Sequence, residues 1–200
     1  LQELSDNSLK EKVSELHEKT GITAKYESRL GFAVDEILEE EEQYDLIVMG
    51  MRGAGPISEA FFGSISTDTL RKTKKPVIII PEKAQYKDPK NIVFACDYDA
   101  NTSVKSLEYL KEVASKFKSE ISIVNVVQDS SILSPEEATA CLKLEHALSD
   151  IKHSYFFPEN DNLVEGVNDF AHVHDADLIA IIPHRHNLIE RLFSRSTSKK

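Results

Sequence analysis

The sequence predicts an α/β protein of doubly wound parallel sheets, arranged as two repeated domains. Three observations carry that expectation. Short apolar runs rich in β-branched residues, such as Leu46-Ile47-Val48-Met49 and Val77-Ile78-Ile79-Ile80, are bounded by Gly or Pro. Strands buried on both faces of a parallel sheet have this composition. These runs alternate with stretches of helical periodicity, the order that produces right-handed crossovers. The chain also repeats. Shifted by 132 residues, Asp45-Leu46-Ile47 falls on Asp177-Leu178-Ile179, Phe61 on Phe193, Ser64 on Ser196 and Ser66 on Ser198. A unit of roughly 130–140 residues is an ordinary domain size.

Taken in order, Leu4, Leu9, Val13 and Leu16 mark an amphipathic helix over 1–19, and Gly21 ends it. Residues 22–26 alternate as a strand does. Phe32, Val34, Ile37 and Leu38 mark a second helix, with the run Glu39 to Glu42 on its solvated side, because successive helical positions fan apart. A strand over 46–49, a loop, a helix over 64–74 and a strand over 77–80 complete a first domain, 1–82. Residues 83–90 read as a linker. The second domain, 91–200, opens with a strand ending in Asp97. A helix with Leu107, Leu110, Val113, Ala114 and Phe117 on one face follows, then a strand over 121–127. Ser134-Pro135-Glu136-Glu137 has the cap, proline and acids of a helix start. Strands over 153–157 and 178–182 flank a helix over 163–173, and a last helix begins near Asn187.

Composition narrows the classes of function. The 200 residues are 40% hydrophobic and 29% charged, as in globular chains. A net charge of −10 argues against a nucleic-acid polymer as partner, since phosphate backbones require clustered Lys and Arg. No apolar run reaches the roughly 20 residues of a membrane helix. Cys96 and Cys141 stand in apolar settings and fit free thiols of a reducing cytoplasm, the expected location. The chain opens in mid-helix periodicity without Met, and is expected to be part of a longer protein.

The loop between the first domain's last two strands carries the chemistry. Gly50 and Gly53 can adopt backbone angles closed to other residues and admit a ligand to the main chain. Ser64 follows Gly63 as an N-cap, and free N–H groups at a helix start favour an anion. Turn and cap glycines without a ligand are the other reading of the same residues. A Walker loop fails, because Gly63 is followed by Ser64-Ile65. A dinucleotide fingerprint fails at Ser58. What stands is Gly50, two residues, Gly53, nine residues, Gly63-Ser64, between "Asp-Leu-Ile-Val-Met-Gly" and "Pro-Val-Ile-Ile-Ile". This resembles the nucleotide-binding motif of the universal stress protein family, in its tandem two-domain form.

The resemblance implies an adenine-nucleotide alpha-hydrolase-like, Rossmann-like fold with strand order 3-2-1-4-5. Here the first domain would lack its opening and the second its last strand. It implies ATP or a related adenine nucleotide, bare or with Mg, held by Gly50, Met51, Arg52, Gly53, Gly63, Ser64, Ile65 and Ser66. It also implies an internal pseudo-dimer meeting through the strand over 77–80, with homo-oligomers open to it. In the second domain the motif glycines become Ile182, Arg185 and Arg195, so binding is expected in the first alone. Asp97 sits where that family's Asp meets the base or ribose, but alone, as a turn or cap acid.

His172, His174, Asp175, Asp177, His184 and His186 invite a metal reading. On a helix 172 and 174 point about 200° apart, and Arg185 is a poor neighbour for a cation, so they read as surface residues. No nucleophile–base pair stands out, and nothing marks a general base for hydrolysis. The expectation is a non-catalytic nucleotide-binding stress or signalling protein. The alternative is an interaction module of the same fold that binds no nucleotide.

Overall fold

The structure is a computed structural model, describing residues 2–51, 64–98, 104–128 and 134–182. These fall into two compact units, Leu1–Tyr44 and Asp45–Lys200.

The smaller unit holds α1 (Gln2–Thr20) and α2 (Ala33–Glu40). Gly21 closes α1 with a left-handed φ of +71° and an N–H bonded to the His17 carbonyl at 2.8 Å, a helix stop for which a side chain would be strained. Residues 22–30 form no strand. Alternation alone does not make one: no ladder is formed there among the described residues, and Ile22 and Leu30 are exposed. The glutamate run is also not uniformly solvated. The α-helix gives way to a 3-10 turn at Glu41–Gln43, and the altered twist turns Glu41 inward to 7% exposure. Glu40 is taken by Arg29, whose guanidinium reaches Glu40 and Glu27 at 2.7 Å and Glu36 at 3.5 Å.

The larger unit contains two parallel sheets. One pairs β1 (Ile47–Met51) with β2 (Val77–Pro81), with α3 (Ser64–Lys72) between them in sequence. The other has β3 (Asn91–Ala95), β4 (Glu120–Val124), β5 (His153–Phe156) and β6 (Leu178–Ile181) in the order β5-β4-β3-β6. Between them in sequence lie α4 (Val104–Phe117), α5 (Pro135–Ala147) and α6 (Leu163–Val173).

Double winding follows from the alternation of β3. Ile92 and Phe94 enter a core with Leu107, Leu110, Ala140 and Leu144, so α4 and α5 cover that face. Val93 and Ala95 point the other way and pack with Val167, Phe170 and Ala171 of α6. Successive crossovers of one hand run β3 to β4 to β5 on one side. The step from β5 back past β3 to β6 reverses direction and places α6 on the opposite face. The four-stranded sheet thus has the order third, second, first, fourth, the first four places of the order that the family resemblance implies.

The two sheets differ in burial. Ile92, Val93 and Phe94 are each 1% exposed, whereas Val48 is 61% and Ile80 43% exposed. The strand over 46–49 was expected to be buried on both faces. Only Ile47 and Met49 are half-buried, so one face of this two-stranded sheet meets solvent. The segment over 121–127 is likewise shorter as a strand: its ladder ends at Val124, with a single further bridge from Val127 to Glu159.

Candidate functional site

β1 delivers Gly50 and Met51 to the carboxyl end of the two-stranded sheet, opposite Ile80 and Pro81. Gly50 lies within the ladder and on the exposed face, in register with Val48, Ile78 and Ile80. Its φ is outside the left-handed range, and a Cβ built on it meets nothing within 4 Å among the described residues. Neither turn geometry nor packing against the described residues therefore requires glycine at this position. What glycine leaves there is open main chain.

α3 begins at Ser64, with no acid in its first turn and Arg71 and Lys72 in its last. Its first turn thus carries no acid of its own against the positive end of the helix dipole. Ile65 is 45% exposed. Ser66 is 4% exposed and Thr69 fully buried, so α3 packs through the face those two share. The Thr69 hydroxyl has no hydrogen-bond partner among the described residues. Arg52, Gly53 and Gly63 lie outside the described residues. The structure therefore sets Gly50 and Met51 at a strand end and Ser64, Ile65 and Ser66 at the start of the following helix.

The equivalent end of the larger sheet is different. Asp97 follows β3 and is exposed. Tyr98, next to it, adopts a left-handed φ of 50° and buries its ring to 2% exposure, 6.1 Å from Phe157. Burial, with Cys141 and Cys96 close by, pushes its phenol well above the ordinary tyrosine range. Its hydroxyl has no partner among the described residues. Ile182, at the register position of Gly50, packs on the same core. Where the first sheet has open main chain, this one has side chains. Sequence reasoning passed over Tyr98, because a left-handed tyrosine carries no compositional signal. Of the histidines weighed as ligands, His174 stacks on Phe170 at 3.8 Å, with Nδ1 2.9 Å from the Phe170 carbonyl. The Asp177 carboxylate is engaged by Lys87 and two backbone amides. His184 and His186 lie outside the described residues.

Residues 1–81, the stretch containing the glycine loop and both its flanking strands, match the universal stress protein family. A universal stress protein of Methanocaldococcus jannaschii is 31% identical over 68 residues, which are 33% of this chain and span 42% of that protein. The fold of a universal stress protein from Archaeoglobus fulgidus superposes with a TM-score of 0.69 at 21% identity, over 98% of this chain and 74% of that one. A Pseudomonas aeruginosa structure of the same description gives 0.63 at 17% identity, over 94% of this chain and 73% of its own. The universal stress protein fold thus extends through the larger sheet, beyond the stretch matched in sequence. No helix among the described residues is long and apolar enough to cross a membrane.

Proposed function

We propose that this universal stress protein works in stress response or signalling by binding an adenine nucleotide, ATP or a close relative, in its first domain, residues 1–82. It acts by binding and not by catalysis. The observation that carries the reading is Gly50: a glycine in ordinary strand conformation, on an exposed face, with none of the described residues around its missing side chain. A solvent-facing strand position favours β-branched or aromatic residues, so glycine there costs strand stability and suits close approach of a ligand. The start of α3 at Ser64 adds main-chain N–H groups and a positive helix end, which suit phosphate. Gly53, Gly63 and Arg52 would complete the seat as the family resemblance implies.

The test is calorimetric titration of ATP into the full chain and three variants. Gly50→Val meets none of the described residues, so folding should be unchanged, a point checked by thermal melting, while binding is lost. Gly53→Val should also abolish binding, and Asp97→Ala should leave it intact. Two equivalent sites, or binding that survives both glycine variants but fails in Asp97→Ala, would overturn the proposal. A second reading, the interaction module, is favoured by the exposure of Val48 and Ile80 on the two-stranded sheet. It predicts no ATP heat in any form of the protein, with association of the halves or of two chains through the strand at 77–80.

A further inference from the structure

The imidazole of His153, at the start of strand β5, has an acceptor on each side. Nδ1 lies 2.8 Å from the Ile151 carbonyl and Nε2 lies 2.9 Å from Oε2 of Glu145, near the end of α5. A carbonyl oxygen and a carboxylate can only accept. Both contacts are therefore hydrogen bonds only when both ring nitrogens carry protons. A neutral ring of either tautomer would set a lone pair against an oxygen. The His153 side chain is 9% exposed and that of Glu145 55%, so water reaches the carboxylate but is poorly placed to reach the ring nitrogens.

We propose that His153 is a pH-sensitive clasp: as the imidazolium it ties the end of α5 to edge strand β5, and deprotonation releases the tie.

The surroundings hold the charge in place. From α5, Glu145 also accepts the Tyr155 hydroxyl at 3.0 Å, and Tyr155 stands two residues along the same face of β5, its ring edge-on to His153 at 5.6 Å. Cys141, one turn earlier on α5, sits against Tyr155, and burial raises its thiol above the ordinary range. From β4, Glu120 is occupied by Lys152 at 2.7 Å. In the turn between α5 and β5, Asp150 is occupied by Lys111 at 3.0 Å. Glu145 is left as the anion facing the ring. Burial pulls the imidazole towards neutrality, and the Ile151 carbonyl and the Glu145 carboxylate outweigh it, so His153 ionises above the ordinary histidine range. Glu145 ionises below the ordinary carboxylate range, held there by His153 and then Tyr155.

The signs fix the window. A group whose folded pKa is raised stabilises fully below its unfolded value, about 6.5, and that contribution is lost as pH rises through the folded value. The clasp is closed in mildly acidic solution and opens on the alkaline side. Leu144 and Leu148 remain in the core, so opening loosens the last turn of α5 and the turn into β5, while the rest of the sheet stays formed.

The test is NMR titration of His153 in the full chain, with amide hydrogen exchange across the same pH range corrected for intrinsic rates. The ring should titrate above 6.5. Protection at residues 144–153 should fall about tenfold for each pH unit by which that midpoint exceeds the ordinary one, while Ile92–Ala95 stays constant. Glu145→Gln should lower the midpoint to 6.5 or below, and His153→Gln should make protection at 144–153 independent of pH. A ring titrating at or below 6.5 in the unsubstituted chain, or protection flat through its titration, would overturn the clasp. So would a midpoint unmoved by Glu145→Gln, the variant that serves if His153→Gln does not fold.

Discussion

The carboxylate of Asp177 is 4% exposed and fully engaged. Oδ2 accepts the backbone N–H groups of Lys90 and Asn91, each at 2.9 Å, and Oδ1 meets Lys87 at 2.6 Å. One acid thus fastens the segment before β3 to the start of β6. Burial pushes its pKa up, and Lys87 with the two amides more than reverse this, leaving it below the ordinary aspartate value. A depressed folded pKa gives stability that is present above the unfolded value of about 3.9 and lost as pH falls through the folded one. Asp177→Ala should cost about 1–2 kcal/mol at neutral pH, read from urea denaturation, and should flatten the acid limb of the stability profile. Asp177→Asn should cost less, since one acceptor remains. An Asp177→Ala protein as stable as the parent would refute the fastening role. None of this was legible in the sequence, where Asp177 looked like a metal-ligand candidate. Its amide partners are 86 and 87 residues away, and only the β3–β6 pairing brings them together.

At the scale of elements, legibility tracks how local the determining interaction is. The start of α5 was plain, because its capping box needs only Ser134 and Glu137: the serine side chain accepts from Glu137 N at 3.2 Å and the glutamate accepts from Ser134 N at 2.7 Å. The strand over 22–26 failed for the opposite reason, since a strand exists only through a neighbour. The exposed face of β1 escaped for the same cause: composition reports that a strand is apolar, while the layers around it decide what is buried. In the candidate site, the Gly50 position could be read from spacing, but its ordinary strand conformation could not. The seating of α6 offers an element-scale test. A Cβ added at Gly166 would come within 2.7 Å of Val126 Cγ1 and 3.0 Å of Asn160 Cβ, so this helix approaches its neighbours closely only through glycine. Gly166→Ala gains helix propensity, yet overpacking should outweigh it and destabilise by about 1–3 kcal/mol. Thermal melting decides the matter, and a higher Tm in the variant would show that the helix can move outward at no cost.

For the whole molecule, stability should be distributed as unevenly as burial is. The four-stranded sheet has cores on both faces, and β3 at its centre is paired on both sides. The β1–β2 pair has two strands and an exposed apolar face. A sheet of only two strands is marginal in water. Opening that pair should therefore need much less free energy than opening the larger sheet, whose amides should exchange only through global unfolding. Native-state hydrogen exchange on the full chain should find Ile92–Val93–Phe94 in the slowest class, with Val77–Ile80 exchanging far earlier. Phe94→Ala, emptying a site that is 1% exposed, should lower protection across β3, β4 and β6 together by about 3–5 kcal/mol and leave Val77–Ile80 little changed. The loop proposed to seat the nucleotide joins the two strands of the weaker sheet in sequence, and a ligand at Gly50 would bind only their formed state. By mass action, ATP in excess should then raise protection at Val77–Ile80 more than at Ile92–Phe94. Equal protection of the two sheets without ligand would remove the ground for this ranking. A rise confined to the four-stranded sheet would place the nucleotide there instead.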